Sequence, residues 1–297
     1  MIEKRTLAIM AAGLGSRFGS LKQLYSISSN NYSILDYSIF DAISVGFNTI
    51  VIIVSKQTLE IFKQRYTSKL PTDITIEFIV QESSILEKKY PERQKPFGTG
   101  QALLMLKTTV KNNFALINAD DFYGRSAFTL MYNALFSNNN NQHYFIGYKL
   151  GNTLSKNGYV SRGECFLNKN NSLRTIIERT QIYKKDQDLF YKNADKSEIE
   201  IHEEAIVSMN FWGFTATIFD FAEAEFNLFL NNYGNNNTKE FYIATVVDAS
   251  INKSTQQFTM LPTDSQWYGV TYEEDAIEVK KRVKKLTNEN IYPELLW

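Results

Sequence analysis

The chain contains very little cysteine and histidine. Cys165 is the one cysteine among 297 residues, which excludes an internal disulfide and any cysteine-rich metal site, and a single thiol fits a reducing compartment. His143 and His202, the two histidines, do not stand in a spacing typical of metal binding or acid–base catalysis. No Ser-His-Asp arrangement can be assembled from neighbouring sequence. We therefore assign both histidines to structure.

An excess of charge and a long apolar run are also missing. Lys and Arg number 32, as do Asp and Glu, so the net charge is zero, and this balance argues against nucleic acid or an acidic membrane as a partner. No apolar run approaches the roughly 18 residues of a membrane span. Leu7–Ala12, which follows Lys4 and Arg5, is too short for a signal-peptide core and continues into glycines. We interpret it as a buried strand and expect a cytoplasmic protein.

The composition that is present predicts a folded globular protein, since 43% of the residues are hydrophobic and 22% are charged. The length allows two domains, or one large α/β domain with a C-terminal extension. Short apolar runs alternate with helical patterns in the first half, which is typical of βα units and of a parallel sheet covered on both faces.

Hydrophobic periodicity predicts the main elements. In the first half, the predicted strands are Thr6–Met10, Thr49–Val54, Ile74–Val80 and Phe114–Asn118, and the predicted helices are Ser33–Val45, Lys56–Arg65 and Thr99–Lys107. The second half is less regular, with candidate strands His143–Tyr148, Tyr159–Glu164, Ser172–Glu178 and Ile206–Thr215, and an amphipathic packing helix, Glu273–Leu286. Residues 82–97 are charged and bounded by prolines, which predicts a loop or lid, and the asparagine runs 138–141 and 235–237 indicate exposed loops.

The segment 7–24 carries the strongest chemical signal. After the first strand come glycines at positions 13, 15 and 19. Arg17 stands between the last two glycines, and Lys22 follows them. Glycines let backbone N–H groups approach phosphate oxygens, and the two cationic side chains add positive charge, so the pattern predicts a triphosphate site. Phe18 stands where both a dinucleotide fingerprint and a Walker A loop require glycine, so neither motif is satisfied.

Ala11-Ala12-Gly13-Leu14-Gly15-Ser16-Arg17-Phe18, with Lys22 after it, resembles the opening motif of the sugar-phosphate nucleotidyltransferases, also called nucleotide-sugar pyrophosphorylases. The resemblance implies a single α/β domain with a Rossmann-like, mixed, mainly parallel sheet flanked by helices, of the nucleotide-diphospho-sugar transferase type. It further implies a nucleotide-binding half at 1–140, a sugar-phosphate-binding half at 141–272, and a C-terminal helix and tail at 273–297.

The same resemblance assigns roles in the first half. Its implied catalytic residues are Arg17, Lys22 and Asp120, and its implied nucleotide-binding residues are Ala11, Ala12, Gly13, Gly15, Ser16, Gln81, Gly98 and Thr99. Asp120 matches the family's Mg²⁺-binding aspartate, with Asp121 as the neighbouring rival, and either could instead cap the helix expected near Ser126. Independently, a carboxylate at the carboxyl end of a parallel strand lies where doubly wound sheets bind ligands.

In the second half the resemblance implies that Gly158, Glu178, Arg179 and Asn210 bind the sugar phosphate. Arg179 replaces the family's lysine, which keeps the charge and alters the geometry. Relatives supply a second metal ligand before the last helix, where this chain has Gly269 and Thr271, and Asp264 is a weak substitute. One carboxylate with phosphates and water would also suit Mg²⁺.

The implied reaction is NTP + sugar 1-phosphate → NDP-sugar + pyrophosphate, with Mg²⁺ as cofactor and direct attack by the sugar phosphate on the α-phosphorus. Positive groups are needed because two unit charges 4 Å apart interact by roughly 4 kcal/mol at an effective dielectric of about 20. Alternatives are a phosphocholine-type cytidylyltransferase, a non-catalytic nucleotide-binding regulatory subunit, and a glycosyltransferase, although Asp120-Asp121 lacks the D-x-D spacing. The expected partners are a nucleoside triphosphate and a sugar 1-phosphate, with a second copy of the chain as a further candidate. The sequence leaves the nucleotide and the acceptor open.

Overall fold

The protein is described by a computed structural model that covers residues 3–13, 21–81, 84–93, 95–136, 142–155, 158–193, 195–253, 256–269 and 273–297. The strands are β1 Thr6–Met10, β2 Thr49–Val54, β3 Thr75–Val80, β4 Phe114–Asn118, β5 Asp121–Phe122, β6 His143–Lys149, β7 Val160–Leu167, β8 Leu173–Lys185, β9 Asp188–Lys192, β10 Glu198–Glu200, β11 Ile206–Phe214, β12 Phe258–Thr263 and β13 Tyr268–Gly269. The α-helices are α1 Ile34–Val45, α2 Leu59–Tyr66, α3 Ser84–Lys89, α4 Thr99–Met105, α5 Arg125–Phe136, α6 Ile218–Tyr233, α7 Ile243–Lys253 and α8 Glu273–Asn288.

Within these ranges, eleven strands form one mixed sheet in which β4, β1, β2 and β3 are parallel neighbours. Strand β11 pairs antiparallel with β4 and extends the sheet through β7, β8, β9 and β10. Strand β6 also pairs with β11, and β12 pairs parallel with β6. The expected mixed sheet with a mainly parallel centre is therefore confirmed.

The parallel strands are apolar because both faces of the sheet are covered. Every residue of β2 is buried, and its side chains divide between two cores, with Ile50 and Ile52 on one face and Val51 and Ile53 on the other. Helices α1, α2 and α5 contribute to the first core, and α4, α6 and α7 to the second. Parallel strands covered on both faces leave their carboxyl ends as the open edge of the central sheet.

Helix α1 begins and ends as its sequence predicts. Ser33 and Asp36 form a capping box at its start, and Gly46 ends it with a left-handed φ of 114°. A Cβ at Gly46 would lie 2.7 Å from the Tyr132 hydroxyl, so the close approach of α5 also requires glycine there.

The structure differs from the predicted elements in several regions, and α6, α7 and β12 are among the elements that the sequence analysis did not predict. Residues 84–89 of the expected loop form the short helix α3. In the second half, β8 continues to Lys185 and is followed by β9 and β10, which the sequence analysis did not predict. All three residues of β10 are exposed, so this arm lacks the apolar periodicity on which strand prediction depends. The asparagine run 138–141 lies outside the described residues.

Ala276, Val279 and Val283 of α8 pack into an apolar cluster that α1 also enters, as the amphipathic pattern of α8 predicts. Of the helices that the structure describes, none has both the length and the apolar character for crossing a bilayer.

Candidate functional site

A polar cavity of about 460 Å³ lies at the carboxyl ends of the central parallel strands. Met10 and Asn118, the last residues of β1 and β4, form part of its wall. We call this space the central cavity; its lining is Met10, Ala12, Gly13, Lys22, Gln23, Gln81, Lys95, Pro96, Gly98, Thr99, Ala102, Asn118, Asp120, Asn210 and Glu240. The topology brings these residues together from widely separated parts of the chain.

Lys22 and Asp120 form an ion pair in the central cavity, with 2.8 Å between Lys22 Nζ and Asp120 Oδ2. Lys22 begins a short 3-10 helix after the first strand, and Asp120 follows β4. The two side chains are 18% and 33% exposed, so both face the cavity and neither is sealed in the core. The structure thus places a cation and a carboxylate side by side where phosphate groups and a divalent ion could bind.

Asp121 points away from that pair into the protein. Its Oδ2 accepts a hydrogen bond from Asn118 Nδ2 at 2.8 Å and lies 3.2 Å from the Tyr123 hydroxyl, which is also 2.9 Å from the carbonyl of Met209. Burial raises the pKa of Asp121, and the adjacent Asp120 carboxylate raises it further. Asp120, and not Asp121, therefore presents its carboxylate to the central cavity.

Gln81 and the Gly98-Thr99 turn form one side of the cavity. Gln81 Nε2 donates to the Gly98 carbonyl at 3.0 Å and to Gln101 Oε1 at 3.2 Å. Gly98 has φ 114°, and a Cβ there would lie 2.6 Å from the Phe241 carbonyl, so only glycine fits. Thr99 Oγ1 accepts the Ile243 N–H at 3.1 Å. The Thr99 bond connects the first half of the chain to the first residue of α7.

Asn210 reaches the cavity because β11 is irregular at this point. The register of β11 against β6 shifts between Ser208 and Trp212, and Asn210 adopts φ 58°, which Asn tolerates better than most residues. Its backbone N–H donates to Ser208 Oγ at 3.2 Å, and its Oδ1 accepts the Trp212 indole N–H at 3.3 Å. A local irregularity thereby brings a side chain of the second half of the chain into the central cavity.

Other candidates of the first half are placed differently. Ala11 is 1% exposed and donates its N–H to the Ile53 carbonyl at 2.8 Å, so it continues the strand pairing. Ala12 and Gly13 line the cavity. Gly15, Ser16 and Arg17 lie outside the described residues.

The remaining candidates of the second half lie apart from the central cavity. Glu178 and Arg179 are successive residues of β8 and point to opposite faces of the sheet. Glu178 lines an open cavity of about 430 Å³ beside Tyr242 and α7. Arg179 Nε is 2.7 Å from Glu164 Oε2, and its guanidinium lies over the Tyr191 ring. Gly158 lines a third cavity of about 660 Å³.

Asp264 is exposed and is not part of the lining of the central cavity. Gly269 lies beside Asp121 because β13 pairs with β5. A Cβ at Gly269 would be 3.1 Å from Asp121 Oδ1 and would collide with the Trp267 ring, so no larger residue fits at this position. Thr271 lies outside the described residues.

Several lining residues were missed by the sequence analysis. Gln23 is 6% exposed, donates to the Gly13 carbonyl at 2.5 Å, and has a buried Oε1 without a partner among the described residues. Lys95 and Glu240 add opposite charges to the rim. Gln23 follows Lys22 directly, so its place in the sequence could have predicted a residue of the cavity. Glu240 comes from a distant loop, and no local pattern predicts its position.

The donor set of the cavity fits Mg²⁺. Asp120 offers a carboxylate and Asn118 an amide, and oxygen ligands of this kind are those that Mg²⁺ prefers. Among the described residues, no group of three His, Cys, Asp or Glu side chains is arranged to hold a metal. An ion here would therefore be held by few protein groups, completed by substrate phosphates and water.

The mixed sheet with flanking helices and a polar cavity at its parallel edge places the chain in the class of nucleotide-diphospho-sugar transferase-like α/β proteins. Over residues 7–285 it matches the family model for nucleotidyl transferases. The chain therefore belongs to the nucleotidyl transferase family, which gives it an enzymatic role in nucleotidyl transfer.

Solved structures share this fold at low sequence identity. The inositol-1-phosphate CTP transferase from T. maritima is 11% identical, with a TM-score of 0.62 and coverage of 95% of this chain and 97% of that one. UDP-glucose pyrophosphorylase complexed with UDP-glucose is 14% identical, with a TM-score of 0.63 and coverage of 95% and 99%. HddC from Yersinia pseudotuberculosis complexed with GMP-PN is 16% identical, with a TM-score of 0.58 and coverage of 94% and 99%. A search of curated proteins gives no significant match.

Proposed function

We propose that the chain transfers a nucleotidyl group from a nucleoside triphosphate to a sugar 1-phosphate and releases pyrophosphate. The observation that carries this proposal is the Lys22–Asp120 pair, at 2.8 Å, inside a cavity that Gln81, Gly98 and Thr99 also line. A cation for phosphates, a carboxylate for a divalent ion and polar groups for a base thus line one space of about 460 Å³. The name of UDP-glucose pyrophosphorylase, which shares the fold, agrees with this substrate class.

The chain's own groups would work by positioning and charge neutralisation. Lys22 would leave Asp120 and bind the triphosphate, so that its charge compensates the departing pyrophosphate. The backbone of Ala12 and Gly13 would follow the phosphates, and Arg17 is proposed to add a second cation there. Because the sugar phosphate is ionised at neutral pH, no protein nucleophile is required.

Asp120 would hold Mg²⁺, with Asn118 beside it, and the ion would neutralise phosphate oxygens of the bound triphosphate. Asp121 would support this site from behind, because its bond from Asn118 fixes the neighbouring amide. This arrangement requires no contribution from Asp264.

Asn210 is the described acceptor-side candidate that lines the central cavity, and we propose that its side chain contacts the sugar. For Gly158 and Glu178 we propose contacts to the sugar phosphate after the second half moves toward the first, since they line separate cavities. Arg179 would have to leave Glu164 to bind the phosphate.

A pyrophosphate-release screen tests the proposal. The purified chain is incubated with Mg²⁺ and each common nucleoside triphosphate, in combination with a panel of sugar 1-phosphates and phosphorylated alcohols. We expect pyrophosphate only when a triphosphate and a sugar 1-phosphate are both present, together with an NDP-sugar detected by mass spectrometry. Asp120→Asn, which keeps the size of the side chain, serves as the inactive control. Release of pyrophosphate without acceptor, or at an unchanged rate in the control, would refute the proposal.

A second candidate is transfer to a non-sugar phosphate, as in a phosphocholine-type cytidylyltransferase. Arg179 is paired with Glu164 on the opposite face of the sheet from Glu178. Glu178 and Arg179 therefore do not converge on one sugar phosphate, and this favours the second candidate. The fold is also shared by an inositol-1-phosphate CTP transferase. The same screen separates the candidates, since phosphocholine or inositol 1-phosphate would then be the preferred acceptor.

A further inference from the structure

Two buried glutamines form a directed hydrogen-bond pair at the wall of the central cavity. Gln101 lies in α4 and is 2% exposed, and Gln81 follows β3 and is 5% exposed. Gln81 lines the cavity, whereas Gln101 stands behind it and is not part of the lining. Gln101 therefore acts on any ligand through Gln81.

The partners of Gln101 determine which way its amide points. Its Oε1 accepts the N–H of Phe97 at 2.9 Å, and a backbone N–H can only donate. Its Nε2 donates to the backbone carbonyl of Gln81 at 3.1 Å, and a carbonyl can only accept. A 180° rotation of this amide would break both bonds, so the oxygen of Gln101 is fixed toward the Gln81 side chain.

The orientation of Gln81 follows from that of Gln101. Gln81 Nε2 donates one hydrogen to Gln101 Oε1 at 3.2 Å and the other to the Gly98 carbonyl at 3.0 Å. The Gly98 carbonyl is itself fixed, because it accepts the Ala102 N–H at 3.2 Å. Both amide hydrogens of Gln81 are thus used within the protein. The side-chain hydrogen bonds that Gln81 forms with described residues all use its Nε2, so its Oε1 is the amide atom left to accept a hydrogen bond from a ligand in the cavity.

A fixed acceptor distinguishes bases that have opposite hydrogen-bonding edges. Uracil has a donor at N3 and an acceptor at O4, whereas cytosine has an acceptor at N3 and a donor at N4. Guanine and adenine are opposed in the same way at positions 1 and 6. At any one of these positions a single acceptor suits only one member of each pair, whereas an amide free to rotate suits both.

We propose that Gln101 is a positioning residue that fixes Gln81 as a hydrogen-bond acceptor and so makes the cavity select between bases of opposite pattern. This inference rests on the proposed nucleotide binding and adds a determinant of which nucleotide is chosen. Turning the Gln81 amide would place its oxygen against two acceptors, the Gly98 carbonyl and Gln101 Oε1. Without Gln101, only the Gly98 carbonyl still opposes this rotation of the Gln81 amide.

Isothermal titration calorimetry with Mg²⁺-nucleoside triphosphates tests the inference, with CTP against UTP and ATP against GTP. The preferred pair is compared in the unchanged chain, in Gln101→Met and in Gln101→Glu. In Gln101→Met we expect the affinity ratio within the preferred pair to fall about five- to tenfold, the equivalent of one hydrogen bond. Gln101→Glu should keep the ratio within about twofold, because a protonated carboxyl group has the same donor and acceptor arrangement as the amide.

Circular dichroism establishes that each variant is folded. If Gln101→Met does not fold, Gln101→Asn, which withdraws the amide by one methylene, takes its place with the same expected fall. A ratio that is unchanged, or that falls equally in Gln101→Glu, would overturn the inference while leaving nucleotide binding intact. Absence of binding of every triphosphate to the unchanged chain would instead refute the proposed function, and this inference with it.

Discussion

The polar residues of the candidate site depend on single backbone features. Asn210 has φ 58° at the irregular point of β11, and this conformation directs its side chain to the central cavity. Alanine in the left-handed region pays a steric cost of roughly 1–2 kcal/mol that glycine does not pay. Asparagine is intermediate because its amide can bond locally, as it does with Trp212.

We therefore expect Asn210→Ala to be less stable than Asn210→Gly by about 1 kcal/mol, although glycine is ordinarily the weaker residue in a strand. Both variants lose the amide, so the difference between their free energies of unfolding reports the cost of the left-handed backbone conformation. Urea unfolding of the two variants, compared at equal slope, measures it. Equal stability, or a more stable alanine variant, would contradict the left-handed conformation at this position.

At the residue scale, the sequence predicted the parts of the site that lie in contiguous motifs. Lys22 and Asp120 were both assigned from their motifs, and the structure places them 2.8 Å apart, although 97 residues separate them in the chain. Gln101 was not predicted, because its role depends on the direction of the Phe97 and Gln81 backbones. Glu240 enters the cavity from a loop that no local pattern connects to it.

At the scale of elements, α1 is held by one buried carboxylate. Asp36 is fully buried and bonds to the Ser33 backbone N–H and hydroxyl, both at 2.7 Å, at the start of the helix. Arg65 Nη2 and Lys69 Nζ, from α2 and the turn after it, lie 2.6 Å and 2.9 Å from its two oxygens. One side chain thus caps α1 and joins it to α2.

Asp36→Ala should lower the free energy of unfolding by about 3 kcal/mol, because it removes the cap and leaves two cations without their buried partner. Glu60→Ala is the matched control, since the Glu60–Lys63 pair is exposed and its loss should change stability by no more than about 0.5 kcal/mol. Denaturant unfolding followed by circular dichroism gives both values. A change below about 1 kcal/mol for Asp36→Ala would show that the buried pairs contribute little.

The elements of the first half were predicted closely because burial on both faces makes their strands uniformly apolar. Strands β1, β2 and β4 have the bounds that the sequence predicts. The β8–β10 arm could not be predicted to the same degree, since alternate positions are solvated and its end is wholly exposed. Pairing with a neighbouring strand, which is a tertiary effect, determines that arm.

For the molecule as a whole, the buried His143 contributes to the pH dependence of the free energy of unfolding. The ring is fully buried; its Nδ1 accepts the Thr215 N–H at 3.2 Å, and its Nε2 lies 2.9 Å from Gln256 Oε1. Burial lowers the pKa of His143 to about 4. Because the unfolded chain binds this proton near pH 6.5, stability falls as the pH decreases from about 6.5 to 4.

This contribution of His143 to the free energy of unfolding amounts to about 3 kcal/mol, since a difference of one unit in pKa corresponds to about 1.4 kcal/mol. His143→Asn keeps an acceptor for the Thr215 N–H and has no titrating group, so it isolates the contribution of His143. Between pH 7 and pH 4 the unchanged chain should lose about 3 kcal/mol more than the variant in urea unfolding. Equal losses would show that the histidine is protonated at little cost in the folded state.

The central claim is that Lys22 acts on the triphosphate and not on the fold. The direct measurement is kcat/KM for pyrophosphate release by Lys22→Met, with the best substrate pair from the screen. Lys95→Met, which changes a lysine at the rim of the same cavity, is the comparison. We predict a fall of at least about 100-fold for Lys22→Met. Its stability should change by no more than about 1 kcal/mol, because the ion pair is partly exposed. A folded Lys22→Met variant that releases pyrophosphate at the full rate would contradict the account.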